Sequence, residues 1–589
     1  MHPNNKNVAM KKKSLIVLSL AAVTGALVMP GCKLVKDIEY KVQKNPLEMH
    51  GDTITLNITA KFIEKGLNKK ATVEVTPVLV TPNGTEKAFK MACYQGPKAA
   101  GNCEVVPKEG KTVSYTAKIP YSPDLEVADL KIKVLPKKGT KEKDVIVTDK
   151  IADATIVTPL LLVGDDKPIY GKEKLQRVTQ HSTEMVFNYL KNDSKVLPKE
   201  LKDKDYTDLE AWYKKALANP KIAIKNISIS SFASPEGELT LNDNLANERA
   251  ASAQKALIEM AKKNKFDVLT NEALYSKAPK GEDWEGFKKL MEGSDIKDKE
   301  LILRVLTMTQ DLQKREQEIK NMAMTYKEIE NKILPQLRRS AVVVSYDKNG
   351  LTDEELVQWS KTKADSMTVE ELLFTAEKLT NDLNEKLRIY KEAARVHPKD
   401  WRGPNNVGYV LLLQGKVSEA QAEFEKAAKV SPNEKIIKNN LAACARLNGD
   451  YDKATALLKE AEGAGPEVDY NKGIIAIKRG KYADAVSGLS KSTQIESTNK
   501  KTTANLALAQ ILNGSPADAK KTLDGAVDGE SATAHYLRAI IGARTNDKAM
   551  MVAGIKAAIA KDSKFKEKAK KDREFVKFFE DADYKAAVN

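Results

Sequence analysis

Four cysteines, five histidines and a 6% share of aromatic residues in a chain of 589 leave little material for a metal centre, a thiol active site or an aromatic recognition surface. The histidines, His2, His50, His181, His397 and His535, are scattered with no HExxH pair, no metal-ligand spacing and no neighbouring cysteine, so each reads as an incidental surface or packing residue. No GxSxG elbow and no phosphate-cradling glycine loop occurs, and the Ser497 to Lys500 spacing falls in a linker, where a chance match is the better reading. Catalysis, a metal and a cofactor are therefore not expected. Past the N-terminal stretch no apolar run approaches the roughly 20 residues a membrane span requires, and no basic and aromatic recognition module is visible that would suit nucleic acid.

What is present is an ordinary globular composition, 42% hydrophobic and 30% charged, in a chain long enough for about three or four domains. The net charge is +16, and setting aside Lys6, Lys11, Lys12 and Lys13 leaves +12. Lys and Glu alternate along most helical stretches, which makes them solvated faces first and an attraction to anionic lipid, lipopolysaccharide or acidic proteins second.

Residues 11 to 32 run from KKK through SLIVLSLAAVTGALV to MPGC: a positive start, an apolar core and a small residue before a cysteine, the pattern of a secretory signal. The ending resembles a bacterial lipoprotein box, with Met29 and Pro30 at positions that usually hold Leu and Ala or Ser. That resemblance implies that residues 1–31 are removed and that Cys32 is acylated and inserted in a lipid bilayer. The alternative is an ordinary cleaved signal with a chance cysteine. Export makes a local disulfide plausible between Cys93 and Cys103, which flank CYQGPKAAGNC, against two free thiols. Cys444 reads as a small buried apolar residue.

Residues 33–158 alternate apolar and polar residues (Ile54, Leu56, Ile58; Val73, Val75; Leu130, Ile132, Val134) between turn signals such as TPNG. Period two means half-buried strands, and a β-sandwich of immunoglobulin-like type is expected. From about 160 to 348 the pattern becomes mixed α/β: an amphipathic segment near Leu175 to Leu190, an apolar strand KNISISSF, a loop, and a helix whose Leu245, Ala246, Ala250, Ala253 and Leu257 share one face. Gly237, Asn242, Leu245, Ala246, Arg249 and Ala250, with the later QLRRSAVVVSY, resemble the OmpA-like domain, which clasps peptidoglycan. In that family a loop aspartate and the helix arginine hold the zwitterionic diamino acid. Arg249 matches; Ser234 stands where the aspartate would be, so Ser234, Asn242 and Arg249 are the candidate wall contacts, with Arg249 as a loop-bracing cation the competing reading. A Lys- and Glu-rich insertion, about 270–334, is helical in period and reads as an added subdomain.

From about residue 352 to 589 the chain repeats. WRGPNNVGYVLLLQGKVSEAQAEFEKAAKVSP carries small and large apolar residues in the order of a tetratricopeptide repeat: Val407, Gly408, Leu411, Ala420, Phe424, Ala427 and Pro432. Gly415, Gly449, Gly480 and Gly514 are spaced 34, 31 and 34 apart, with Ala420, Ala454, Ala485, Ala519 and then Phe424, Leu458, Leu489, Leu523 in register. Degenerate pairs around 371–398 and 532–560 flank these repeats, and the polar end KEKAKKDREFVKFFED reads as a cap. The resemblance implies an all-α solenoid with a concave face lined by the first helix of each pair. Asn406, Asn440, Asn471 and Asn505 recur at one position of that helix, and an amide offers both a donor and an acceptor. The ladder is expected either to pair with the backbone of an extended peptide without reading its sequence, or to brace neighbouring helices.

Together these parts resemble Bacteroidetes outer-membrane lipoproteins. The resemblance implies a scaffold or docking subunit of an envelope complex of assembly or secretion type, bound to other outer-membrane or periplasmic proteins. The periplasmic face is favoured, since KLVKDIEY after Cys32 lacks an acidic surface-export signal. Tethering to peptidoglycan is the alternative.

Overall fold

The computed structural model describes residues 24–26, 34–164, 166–495, 500–525 and 531–589. Cys32 and the leader other than 24–26 lie outside the described residues, as do Ser497 and its neighbours. The chain divides into two compact units, one formed by 1–172 with 382–589 and the other by 173–381. Among the described residues no helix is long and apolar enough to cross a membrane.

The first unit begins with strands β1 (Ile38–Val42), β2 (Leu47–His50), β3 (Thr53–Phe62), β4 (Thr72–Val80), β5 (Ala92–Gln95), β6 (Lys111–Pro120), β7 (Ala128–Lys138) and β8 (Ala152–Ile156). β3 pairs antiparallel with β1, β2 and β6; β7 pairs antiparallel with β4 and β8; and a parallel β2 and β8 pairing joins the two sets. Alternation decides which side of each strand is buried. Ile54, Leu56 and Ile58 of β3 and Val73, Val75, Leu130, Ile132 and Val134 of β4 and β7 close one common core. Cys93 and Cys103 form a disulfide, with Cα atoms 5.1 Å apart, across the loop between β5 and β6.

The second unit holds a four-stranded sheet in the order β9 (Val178–Asn188), β12 (Arg339–Asn349), β10 (Ile222–Ala233), β11 (Tyr275–Glu282). α1 (Lys204–Leu217) precedes β10, and α2 (Leu239–Asn264) crosses from β10 to the parallel β11. Leu245, Ala246, Ala250, Ala253 and Leu257 are all buried, as their spacing requires. The amphipathic segment near 175–190 is a strand from Val178 onward: Val178, Thr179, Thr183 and Val186 are β-branched, and β9 pairs along its whole length with β12. The insertion also starts later than 270, because 275–282 is the edge strand β11, whose lysines and Pro279 hide its character and suit an edge. The added helices are α3 (Trp284–Glu292), α4 (Lys299–Met308), α5 (Leu312–Lys320), α6 (Ala323–Lys332) and α7 (Leu334–Leu337), with a small core of their own around Phe287, Met291, Ile302 and Ile329. α8 (Asp353–Thr362) and α9 (Val369–Lys378) complete the unit, each opened by a capping box, Thr352 with Glu355 and Thr368 with Glu371.

The chain then returns to the first unit in antiparallel helix pairs: α10 (Leu383–Val396) leads to α11 (Arg402–Leu413) with α12 (Val417–Val430), α13 (Lys435–Leu447) with α14 (Tyr451–Glu460), α15 (Pro466–Lys478) with α16 (Tyr482–Ile495), α17 (Lys500–Leu512) with α18 (Pro516–Asp524), and α19 (Ala532–Thr545) with α20 (Lys548–Lys561). Gly415 and Gly449 turn the chain at φ +76° and +84°, and Gly480 and Gly514 do the same in the next two pairs. A Cβ on Gly408 would lie 2.7 Å from the Phe424 ring, so the small residue is what lets α11 and α12 close.

The unit boundaries differ from those read along the sequence. Residues 160–172 fall in one compact unit with the N-terminal strands and the repeats, and 352–381 fall in the sheet unit. The C-terminal stretch is also more than a polar cap: Phe575 is fully buried, Thr158 bonds Glu574, Arg573 donates to the Ala154 carbonyl at 3.2 Å, and Lys571 pairs with Glu126 at 2.6 Å.

Candidate functional site

The concave face of the repeats is filled by the chain itself. Residues 163–164 and 166–171 run along it as an extended strap, in the opposite sense to the order of the repeats. Asn406 accepts from the Gly171 N–H at 2.6 Å and donates to its carbonyl at 2.9 Å. Asn440 does both with Ile169 at 2.7 Å, Asn471 with Lys167 at 2.9 and 3.0 Å, and Asn505 with Val163 at 3.0 and 2.9 Å. Each carboxamide thus closes a two-point pairing with one peptide unit pair, which an amide can do because it carries donor and acceptor side by side. From 171 to 167 the strap advances two residues per repeat, so alternate residues face the helices, about 7 Å apart in extended chain. Pro168 falls on an outward position, where its missing N–H costs nothing.

A second row, one residue earlier on α11 and α13, was not read from the sequence. Asn405 donates to the Ile169 carbonyl at 3.2 Å and Asn439 to the Lys167 carbonyl at 3.0 Å. The rows are cross-linked between repeats, Asn440 to Asn405 at 2.9 Å, Asn471 to Asn439 at 3.0 Å and Asn505 to the Tyr470 hydroxyl at 2.9 Å. The signal that could have found it is the doublet NN at 405–406, recurring 34 residues on at 439–440. The network pairs with an extended backbone of the same chain and braces neighbouring helices.

Side chains of the strap are read as well. Arg446, on the turn side of α13, donates through Nε to both carboxylate oxygens of Asp166 at 2.7 Å, and both side chains are buried. Burial works against the guanidinium, and the Asp166 hydrogen bond and charge outweigh it, holding its pKa above the ordinary value. A buried pair of this kind fixes register more than it adds stability. Ile169 sits in an apolar pocket with Ala442, Ala445 and Val468. Gly171 has no room for a side chain, since a Cβ would stand 2.6 Å from Arg402 Cγ.

The other predicted residues are placed differently. Arg249 is 1% exposed, and its guanidinium donates to the carbonyls of Asp193, Phe232 and Leu190 at 3.0, 2.8 and 3.2 Å while lying over the Tyr189 ring. Burial pulls its pKa down to about 10, so it is still cationic at neutral pH. Ser234 donates to Glu236 at 2.6 Å, and Arg338 pairs with that carboxylate at 2.7 Å. Asn242 donates to Glu282 at 2.9 Å and to the Gly237 carbonyl at 3.3 Å. Ser234 and Asn242 are 4% exposed each, so the expected trio of wall contacts is a set of buried braces. A ligand could reach Arg249 only by displacing the chain around Leu190 to Asp193. Cys444 is buried, which pushes its thiol up to about 12. Among the described residues no cluster of His, Cys, Asp or Glu could hold a metal ion.

Residues 408–469 match the tetratricopeptide repeat family, so the C-terminal region carries tetratricopeptide repeats, a fold that serves protein–protein interaction. Solved structures similar to part of the chain include a tetratricopeptide repeat protein from Parabacteroides merdae ATCC 43184 (15% identity, 36% of this chain and 88% of that one, TM-score 0.29). Two others are YrrB, described as a tetratricopeptide repeat protein with an unusual peptide-binding site (15%, 30% and 92%, 0.26), and pilF of Pseudomonas aeruginosa (15%, 38% and 96%, 0.28). No curated protein matches the chain.

Proposed function

We propose that this chain is a scaffold or docking subunit of an envelope protein complex, acting by binding and not by catalysis. Its acylated Cys32 holds it in the outer membrane on the periplasmic side, its β-rich region is an immunoglobulin-like sandwich, its sheet unit is an OmpA-like module, and its repeats meet partner proteins of an assembly or secretion machinery. The observation that carries the reading is the groove: a periodic row of buried amides holding an extended chain by its backbone is a binding device with no chemistry attached. The lipoprotein pattern ending at Cys32 supports the anchor.

Affinity purification of the detergent-solubilised native protein, with identification of its companions, tests both halves. The expected result is a stable set of membrane proteins with the wild type and a shift of Cys32→Ser to the soluble fraction. A wild-type protein that purifies alone, or one that is water-soluble and unacylated, overturns the reading.

A further inference from the structure

The groove does more than hold a backbone, and its selectivity is visible in the strap. We infer that the repeat groove is a sequence-reading receptor for an extended protein segment with a carboxylate, an apolar residue three positions later and a glycine two beyond that, and that residues 166–171, DKPIYG, are its resident ligand in cis. This deepens the reading of the repeats as a partner-binding surface and rests on it.

Three recognition points carry the inference, each independent of the amide ladder. Arg446 is a buried cation whose carboxylate partner comes from the strap and not from the repeats, and an acyclic neutral residue in place of Asp166 would leave that charge buried with its main partner gone. The Ile169 pocket, lined by Ala442, Ala445 and Val468, is wholly apolar and accepts an apolar side chain. At Gly171 the Arg402 side chain and the Trp401 ring stand 2.6 and 3.2 Å from where a Cβ would be, so any side chain there must move them. Lys167 and Tyr170 lie between these points and contribute by packing, Lys167 over the Tyr470 ring at 5.0 Å and Tyr170 edge-on to Tyr409 at 5.4 Å. Backbone pairing through Asn406, Asn440 and Asn471 sets direction and register, and the charge, pocket and glycine gap set identity. A partner segment of this pattern meets competition from the strap, because a tethered ligand acts at about millimolar effective concentration. A free peptide therefore binds only when the strap is lifted.

The test uses the full chain with Asp166→Lys and Gly171→Val, which unseats the strap, and the fluorescein-labelled peptide LLVGDDKPIYGKEK. The expected result is saturable binding to this variant, at least tenfold weaker binding to wild type, and at least tenfold weaker binding of peptides carrying the same two changes. In a chain that keeps Asp166, Arg446→Glu beside Gly171→Val unseats the strap by like charge and should reverse the charge preference, so that a peptide with Lys at the Asp166 position binds better than the native one. Equal binding of native and changed peptides, no reversal, or no saturable binding to a variant that still melts cooperatively overturns the inference. If the unseated chain does not fold, the cis pair decides: Asp166→Arg and Arg446→Glu should each speed amide exchange at Ile169, and the double variant should restore protection, whereas a double variant no better than the singles overturns it. Companions that co-purify with the native protein while the peptide fails would sink the sequence reading and leave the scaffold reading standing.

Discussion

The repeat groove and the loop beneath α2 both bury polar side chains against main chain, and they do it in opposite ways. In the groove, carboxamides give and take, so Asn406, Asn440, Asn471 and Asn505 zip onto a segment as a strand would. In the sheet unit, Arg249 can only give, and its guanidinium gathers two carbonyls of the 190–193 loop and one near the end of β10 into a fixed corner. The first arrangement repeats along an axis and can hold a chain of any length; the second is a single knot. Polarity and burial alone do not mark a binding surface: the test is whether both donors and acceptors are presented in a row.

The largest expected effect breaks the knot. Arg249→Ala takes a donor from each of three carbonyls in a buried site and removes a large side chain, and should cost the sheet unit about 4 kcal/mol. Thermal unfolding measures it, and retention on purified sacculi should be unchanged from wild type; Arg249-dependent retention would return the residue to a wall-binding role. Next, Asn440→Ala removes the acceptor of the Ile169 N–H, one of the two donors to the Ile169 carbonyl and a partner of Asn405, for about 3 kcal/mol, with faster hydrogen exchange at Ile169. If instead exchange at Ile169 is unaltered, the ladder is only a helix brace. Gly171→Ala should cost about 1–2 kcal/mol through overpacking against Arg402 and loosen the strap's end without touching the sheet unit.

The smallest effect is a pH dependence confined to the sheet unit. Burial raises the Glu236 pKa, but hydrogen bonds from Ser234 and Lys191 and the Arg338 charge more than offset this and hold it below the usual carboxylate range. With the folded value depressed, the stabilisation is full above the unfolded pKa and is lost as pH falls through the folded one. Glu236→Gln should therefore flatten the acid side of the stability profile, as followed by urea unfolding between neutral pH and about pH 3.

Periodicity explains what was legible. The glycines, alanines and large apolar residues of the repeats recur at fixed spacing, and so do the asparagines, because each serves the same geometry in each helix pair. Alternation in β3, β4 and β7 and the helical face of α2 were legible for the same reason. The strap was not: VGDDKPIYG has no period, since its order comes from residues hundreds of positions away. β9 and β11 were missed because edge strands are polar on most positions and their pairing partners, β12 and β10, are not adjacent in sequence. Arg249 matched a family position yet serves as a brace, because a motif residue names a place in the fold and its neighbours decide its use.

The strap also imposes an order on how the molecule comes together. Val163 is synthesised 342 residues before Asn505, and Gly171 235 residues before Asn406. At about 5–20 residues per second, the waiting time for the last pairing is roughly 20–70 s. Until the first pair is made the segment has no helices to lie on, so the repeats must wrap a chain that is already there, and the solenoid closes from its first pair toward its last.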